Sequence, residues 1–164
     1  MESRAKVFGH AMHPMLIVFP LGLFSAAVLF DLIRMFHGGS DWGEAAFYDI
    51  AVGIVGGLLA AVFGFIDWLA IPSGTRAKAV GLWHGAGNFV IVVLFIVSWL
   101  IRLPNPASPS AFAFVLAVVA VLMALVTGWL GGELVERLRV GVDDGAGLDA
   151  PNSLSSGARR RAVE

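Results

Sequence analysis

Residues 50–66, IAVGIVGGLLAAVFGFI, decide the fold because they contain no charged side chain. The uninterrupted apolar stretch extends over residues 45–71, where only Asp49 and Asp67, close to its two ends, are charged. A helix needs about 20 apolar residues to cross the hydrocarbon of a bilayer, because each residue rises about 1.5 Å. An isolated strand would leave its backbone polar groups unpaired in lipid. The stretch therefore predicts a transmembrane helix.

Three more segments of the chain have the same apolar character, at residues 15–35, 80–101 and 110 to about 134. Turn residues separate the four segments, at residues 37–41, 72–75 and 104–109. Because the connections are short, neighbouring helices should run antiparallel. We predict an all-α, integral membrane four-helix up-down bundle over residues 1–142. The composition of residues 143–164 predicts a disordered cytoplasmic tail.

The overall composition supports a membrane protein and excludes several functions. Of the 164 residues 58% are hydrophobic and 14% charged, and the mean hydropathy is +0.84. Soluble domains carry about 25% charged residues. A net charge of −1 argues against a nucleic-acid partner, since phosphate binding needs a concentrated basic surface. Because the chain contains no cysteine, disulfides, thiolate metal sites and iron–sulfur clusters are excluded.

The distribution of lysine and arginine predicts the orientation of the bundle. With four segments, the N-terminus, the second loop and the C-terminus share one side, which carries Arg4, Lys6, Arg76, Lys78, Arg137, Arg139, Arg159, Arg160 and Arg161. The other side carries Arg34 and Arg102. The positive-inside rule places both termini in the cytoplasm. At the outer interface, Asp31 or Asp49 is expected to pair with Arg34.

Polar residues from all four segments should lie at one depth on the cytoplasmic side: His10, His13, Asp67, Trp68, His84, Asn88, Trp129 and Glu133. Polar groups inside a membrane usually face the bundle interior. Small residues in the second segment form a stripe that ends at Asp67 and lets helices approach closely: Gly53, Gly57, Ala60 and Gly64. His84 and Asn88 are four residues apart and share a helix face. We expect this polar cluster to face inward.

Three interpretations of the polar cluster remain open. In the first, His84 together with His13 or His10 binds a b-type haem or a divalent metal ion, since histidine is the commonest metal ligand. His13 and His84 are then the metal ligands, and the carboxylates, Asn88 and the two tryptophans, Trp68 and Trp129, form the surrounding shell. In the second, His84, Asp67 and Glu133 relay protons or ions. In the third, the cluster only holds the helices together.

Several motifs resemble the opening and the helices of a bacterial membrane family, domain of unknown function 2231. They are GHAMHP at residues 9–14, FPLG at 19–22, DWLAIP at 67–72, His84 in the third segment, and GWLGGELV at 128–135. The resemblance covers about residues 8–142. It implies a multi-pass protein of the bacterial inner membrane. Some members carry a Rieske iron–sulfur or cytochrome-like domain on the same chain, which implies electron transfer by analogy.

The sequence departs from this family at positions that bear on a cofactor. The family commonly has proline in place of Ala11, often histidine in place of Val18, and commonly tyrosine and histidine in place of Glu136 and Leu138. His10, His13 and His84 are retained.

The leading expectation is a lipid-embedded electron-transfer subunit with a haem or metal site, acting with a redox protein or as a homo-oligomer. The alternative is a non-catalytic interaction subunit or a transporter-like proton or ion relay. The sequence contains no nucleophile motif, so it does not predict that the protein has an enzymatic activity of its own.

Overall fold

The computed structural model describes residues 1–155 and places four long helices in one bundle. A two-stranded hairpin, β1 (Lys6–Val7) and β2 (His10–Ala11), precedes them. The helices are α1 (Met12–Leu16), α2 (Val18–His37), α3 (Ser40–Ala70), α4 (Arg76–Arg102) and α5 (Ala111–Gly132), which continues as a π-helical turn, Glu133–Arg137. We refer to the four membrane-length segments as span 1 (Met12–His37), span 2 (Ser40–Ala70), span 3 (Arg76–Arg102) and span 4 (Ala111–Arg137).

All four spans are long and apolar enough to cross a bilayer, with mean hydropathies of 2.3, 2.2, 2.0 and 2.7. The predicted all-α, four-helix architecture is confirmed. Each span is longer than predicted, because the helices continue until a residue breaks the backbone hydrogen bonding. Span 1, for example, ends only at Gly38 and Gly39, whose φ angles of 76° and 94° favour glycine.

Local sequence explains where the other helices start and where span 1 is interrupted. Thr75 caps span 3 by accepting a hydrogen bond from the backbone N–H of Lys78 at 3.1 Å. Ser110 caps span 4 in the same way through Ala113 at 3.3 Å. The break between α1 and α2 falls at Ile17. Pro20 lies one turn later and has no N–H with which to continue the helical hydrogen bonding.

The core of the bundle lies at mid-depth, where spans 1 and 3 meet. The rings of Phe24 and Phe95 stack there with centroids 3.8 Å apart and planes 8° apart. The predicted stripe of small residues on span 2 faces this core, which confirms its role in close packing. A Cβ at Gly53 would lie 2.6 Å from the ring of Phe24. Spans 1 and 2 pack closely, as do spans 3 and 4, and the two pairs join through spans 2 and 3 and through spans 1 and 4.

The two ends of the bundle differ in their polar contacts. We call the end with the hairpin and residues 138–155 the termini side, and the end with the loops between spans 1 and 2 and between spans 3 and 4 the far side. On the far side, Arg102 and Asp31 form a buried bidentate ion pair, Nη1 to Oδ1 at 2.9 Å and Nη2 to Oδ2 at 2.6 Å. The expectation that Asp31 or Asp49 pairs with Arg34 is wrong for the described residues, because Asp31 pairs with Arg102 and no ion pair of Asp49 is present in residues 1–155. Arg34 instead donates to the hydroxyl of Ser108 at 3.4 Å.

The start of the predicted tail packs against the hairpin on the termini side. Asp143 forms an ion pair with Lys6, and the backbone N–H of Asp144 donates to Glu2 at 3.3 Å. Residues 143–155 contain turns but no helix or strand. The remainder of the tail predicted to be disordered, residues 156–164 with Arg159, Arg160 and Arg161, lies outside the described residues.

Candidate functional site

Two histidines meet inside the bundle on the termini side. His13 lies at the start of span 1 and His84 in span 3, and both are partly buried. Their ring centroids are 6.1 Å apart and their planes are inclined at 83°. The sequence left open whether His10 or His13 would be the partner of His84, and the structure brings His13 to it.

Each of the two imidazoles is oriented by a backbone carbonyl of the neighbouring span. Nδ1 of His13 lies 2.8 Å from the carbonyl oxygen of Ala60 in span 2. Nδ1 of His84 lies 2.8 Å from the carbonyl oxygen of Thr127 in span 4. A carbonyl oxygen can only accept a hydrogen bond, so Nδ1 carries the proton in both rings. In the neutral imidazoles the lone pair is therefore on Nε2, the atom that remains for a ligand.

Glycines make the space that the imidazoles occupy. A Cβ at Gly64 would lie 2.8 Å from Nδ1 of His13, closer than side-chain atoms approach one another. A Cβ at Gly131 would lie 3.1 Å from Cε1 of His84. Each ring therefore packs directly against the backbone of the span whose carbonyl it contacts. All four spans contribute to the histidine pair, and none can shift without displacing a ring.

Asn88 and Thr127 complete the surroundings of His84. Nδ2 of Asn88 lies 3.2 Å from Nε2 of His84 and donates to the backbone oxygen of His84 at 2.9 Å. The hydroxyl of Thr127 donates to Oδ1 of Asn88 at 3.1 Å. The prediction that His84 and Asn88 share an inward face is confirmed. Among residues 1–155, no hydrogen bond to Nε2 of His13 is present.

Asp67 is buried as predicted, but its partners belong to the N-terminal segment. Its carboxylate accepts hydrogen bonds from the hydroxyl of Ser3 at 2.7 and 2.8 Å, from the N–H of Arg4 at 2.8 Å and from that of Ala5 at 3.3 Å. The carboxylate therefore anchors the segment before the hairpin to span 2. It makes no hydrogen bond to either histidine of the pair within residues 1–155.

The other predicted site residues lie around the rim of the termini side. Glu133 pairs with Arg76 at 2.6 Å, and the indole N–H of Trp68 donates to the carbonyl of Lys78 at 3.2 Å. Trp129 is 67% exposed on the lipid-facing side of span 4, so the expected inward orientation is wrong for this residue. His10 is exposed in the hairpin, where Nδ1 lies 3.2 Å from the carbonyl of Phe8. Whether any of these residues acts with a cofactor stays a prediction.

The donor atoms at the histidine pair limit what it can bind. Within residues 1–155, no three histidine, aspartate, glutamate or cysteine side chains come together as a metal-binding group. A centre at the pair would have two imidazoles as its protein ligands, and any further ligands would come from water, a macrocycle or an added molecule. Two neutral imidazoles suit copper, iron, nickel or zinc better than calcium or magnesium, which prefer oxygen ligands.

A family model described as predicted membrane protein, DUF2231, matches residues 9–144. The chain belongs to this family. The match includes His10, His13 and His84 and all four spans of the DUF2231 protein, in agreement with the resemblance seen in the sequence. The comparisons with curated proteins and with solved structures gave no match.

Some residues that form the site could not be recognised from the sequence. Thr127 is a polar residue in the otherwise apolar residues 111–128 of span 4, and that contrast is the signal that could have found it. The sequence gives no indication that the carbonyl oxygen of Ala60 contacts a histidine, because every residue has a backbone carbonyl. Gly131 lies in the motif at residues 128–135, which by itself does not indicate a contact with His84. Its contact with His84 depends on which face of span 4 turns toward span 3.

Proposed function

We propose that this DUF2231 protein is a membrane electron-transfer protein in which His13 and His84 together bind one redox-active transition-metal ion. The observation that carries the proposal is the pair of imidazoles 6.1 Å apart, each fixed through Nδ1 by a backbone carbonyl. Copper and iron are the redox-active ions that imidazole ligands suit. The bound ion would supply one-electron chemistry, and the protein residues would position it and exclude water.

The distance between the rings supports the proposal. Two metal–nitrogen bonds of about 2.0 Å, aligned with two ring centres, correspond to a centroid separation of roughly 6 Å. The hydrogen bonds at Nδ1 are those that metal-binding histidines usually make to fix their tautomer and orientation. Nε2 of His13 is without a hydrogen bond in residues 1–155 and is available as a ligand.

A b-type haem bound by the same two histidines is the other form that such a centre could take. The surroundings favour the single ion. The amide of Asn88 lies 3.2 Å from Nε2 of His84, and the two rings fill the spaces beside Gly64 and Gly131. A porphyrin extends several ångströms from its iron in every direction of its plane. It would require spans 1 and 3 to move apart, whereas an ion bound by both Nε2 atoms would displace Asn88 from His84.

A proton or ion relay is less well supported than a metal site. A relay through His84, Asp67 and Glu133 needs the three groups to be in contact directly or through water. Asp67 is saturated by the N-terminal segment, and Glu133 pairs with Arg76. A purely structural cluster explains the bonds of His84 but leaves Nε2 of His13 without a role.

The proposal includes a location and a class of partner. Lys6, Arg76 and Lys78 lie on the termini side, which supports placing both termini in the cytoplasm and the chain in the bacterial inner membrane. The histidine pair then lies in the cytoplasmic half of the bilayer. A redox protein that exchanges electrons with the ion would approach from that side.

The test is to purify the full chain in mild detergent and to measure bound metal by elemental analysis and haem by the optical spectrum. The four histidines provide matched variants, since His13→Ala and His84→Ala alter the pair while His10→Ala and His37→Ala alter exposed rings. We expect about one equivalent of copper or iron per chain in the wild type, retained in the two control variants and lost in the other two.

Two outcomes would contradict the single-ion proposal. A Soret band that disappears in His13→Ala and His84→Ala would replace the ion by haem. A wild-type protein that takes up neither haem nor copper nor iron after reconstitution would end the electron-transfer proposal. Flux into proteoliposomes, compared between wild type and Asp67→Asn, would then test the relay.

A further inference from the structure

The two imidazoles of the histidine pair differ in the state of their ligand atoms. Nε2 of His84 lies 3.2 Å from the amide nitrogen of Asn88, whereas Nε2 of His13 makes no hydrogen bond in the described part of the chain. Because Nδ1 of His84 donates to the carbonyl of Thr127, its Nε2 carries the lone pair and accepts from Asn88. The lone pair of His84 is therefore occupied by a hydrogen bond.

Two acceptors on His84, Nε2 and the backbone oxygen, determine that the amide nitrogen of Asn88 faces this residue, and the hydroxyl of Thr127 supports that orientation at Oδ1. This hydroxyl donates to Oδ1 of Asn88 at 3.1 Å and also contacts the carbonyl of Ala124 at 3.3 Å. With Oδ1 held by this hydroxyl, the amide nitrogen points the other way, toward the imidazole. Both hydrogens of Nδ2 then have acceptors, Nε2 and the backbone oxygen of His84.

Close packing of spans 3 and 4 holds this arrangement in place. Thr127 is 6% exposed, so water does not compete strongly for its hydroxyl. A Cβ at Gly87 would lie 2.5 Å from Cγ2 of Thr127, and only a glycine there lets the threonine approach Asn88. The chain from Thr127 to Asn88 to His84 is therefore a fixed hydrogen-bonded unit within the bundle.

We propose that Asn88 is a hydrogen-bonded latch on the ligand atom of His84, held by Thr127, and that it lowers the affinity of the histidine pair for a metal ion. The proposal rests on the metal-binding function proposed above. An ion that uses both imidazoles must displace an N–H donor from Nε2 of His84, and that donor carries partial positive charge. Nε2 of His13 has no hydrogen bond to displace within residues 1–155, whereas Nε2 of His84 becomes available only when Asn88 turns away.

The latch identifies Asn88 as a positioning residue with a measurable effect on affinity. Removing the donor removes one intramolecular hydrogen bond that competes with the ion. We therefore expect Asn88→Ala to bind cuprous ion about 5- to 10-fold more tightly than the wild type. Thr127→Val keeps the shape of the side chain and the backbone carbonyl that orients His84, but it releases the amide. A smaller increase, of about 2- to 5-fold, is expected for that variant.

The experiment combines a measurement with metal and one without. Cuprous ion is titrated into the purified full chain in competition with a chromogenic chelator. The ¹⁵N resonance of Nε2 of His84 is recorded in metal-free protein labelled at histidine. Asn105→Ala, the same chemical change in an exposed loop on the far side, is the matched control. We expect the resonance to move downfield by several ppm in Asn88→Ala and Thr127→Val, and to stay in place in the control.

The two measurements separate failure of the latch from failure of the metal site. A resonance that does not move in either variant overturns the latch, even if the wild type binds cuprous ion. Unchanged or weaker binding in both variants, with a resonance that moves, overturns the claim that the latch lowers affinity. If the resonance moves and no variant binds the ion, the metal-binding function fails and its control by Asn88 fails with it.

Discussion

Spans 1 and 3 contact each other through two polar pairs, one at each end of the bundle. The two pairs differ in whether all their polar atoms have hydrogen-bond partners. On the far side, Asp31 and Arg102 are 1% and 0% exposed and pair through Nη1 and Nη2 of the guanidinium. Nε of Arg102 donates to Ser98, whose hydroxyl donates to the carbonyl of Ala113 at 2.7 Å. Both carboxylate oxygens and all three guanidinium nitrogens therefore have partners. On the termini side, His13 and His84 share no hydrogen bond, and one ligand nitrogen has no partner in residues 1–155.

The Asp31–Arg102 pair, whose polar atoms all have partners, and the histidine pair, in which Nε2 of His13 has none within residues 1–155, suit different roles. Buried charges in a membrane must be neutralised, and the far-side pair achieves this without leaving an atom for a ligand. The histidine pair is held through its Nδ1 atoms, and within residues 1–155 no hydrogen bond to Nε2 of His13 is present. The far-side contact therefore neutralises buried charge within the bundle, whereas the termini-side contact is the site at which we propose metal binding. The following variants test this distinction.

Arg102→Leu should have the largest effect on stability. It leaves Asp31 as an unpaired buried carboxylate, and breaking a buried pair in this way costs about 3–5 kcal/mol. Unfolding in increasing SDS, followed by circular dichroism, measures the loss. The double variant Asp31→Leu with Arg102→Leu should recover most of the stability. Arg34→Leu, which removes a single 3.4 Å contact, is the control, and an equal loss there would refute the assignment.

Gly64→Ala should disturb the histidine pair directly. The new Cβ would lie 2.8 Å from Nδ1 of His13 and must push the ring from the carbonyl of Ala60. Overpacking of this kind costs about 1–3 kcal/mol. We expect lower stability in SDS together with loss of metal uptake. Gly128→Ala, in span 4 with open space around the glycine, should not lower stability, because alanine favours a helix over glycine, and it should leave metal uptake unchanged. Metal uptake that survives Gly64→Ala would sharply weaken the case for His13 as a ligand.

Asp67→Asn should loosen the N-terminal segment without affecting the histidine pair. The carboxylate accepts charge-assisted hydrogen bonds from Ser3 and from the N–H of Arg4, and an amide replaces one acceptor by a donor. We expect a cost of about 1–2 kcal/mol. Hydrogen exchange of residues 3–11 should accelerate while metal uptake stays at the wild-type level. Asp49→Asn is the control, because no hydrogen bond of Asp49 is present in residues 1–155.

The ion pairs of Lys6 should have the smallest effect and a definite pH dependence. Burial lowers the pKa of Lys6, but hydrogen bonds to Asp143 and Glu2 outweigh it and raise the pKa above the ordinary 10.5. A hydrogen bond from Lys6 lowers the pKa of Glu2 below 4.5. The contribution of Lys6 is complete below pH 10.5 and is lost as the pH rises through its raised pKa. That of Glu2 is complete above pH 4.5 and is lost as the pH falls through its lowered pKa.

Because these side chains are partly exposed, Lys6→Gln should cost less than about 0.5 kcal/mol. Hydrogen exchange of the hairpin, measured between pH 4 and pH 10 in wild type and variant, gives the test. The difference in hydrogen-exchange protection between wild type and variant should be constant near neutral pH and should fall as the pH approaches 4. A maximum near pH 7 would contradict this assignment of the ion pairs.

The sequence alone determined the architecture, the side of the bundle on which the polar residues gather, and the inward face of span 2. These follow from properties of single segments: the length of an apolar run, the residues that interrupt it, and the spacing of small residues along a helix. His84 and Asn88 could be placed on one face because a helix fixes the positions of residues four apart.

Only the tertiary structure decided which polar residues touch. Asp31 pairs with Arg102 rather than Arg34, Asp67 binds the N-terminal segment, and His13 rather than His10 reaches His84. Which residues of different spans become partners depends on how each helix is rotated about its axis and shifted along it. Knowing that residues lie at the same depth determines neither. The backbone carbonyls that orient both imidazoles carry no mark in the sequence, because side-chain identity does not tell which carbonyl another helix will meet.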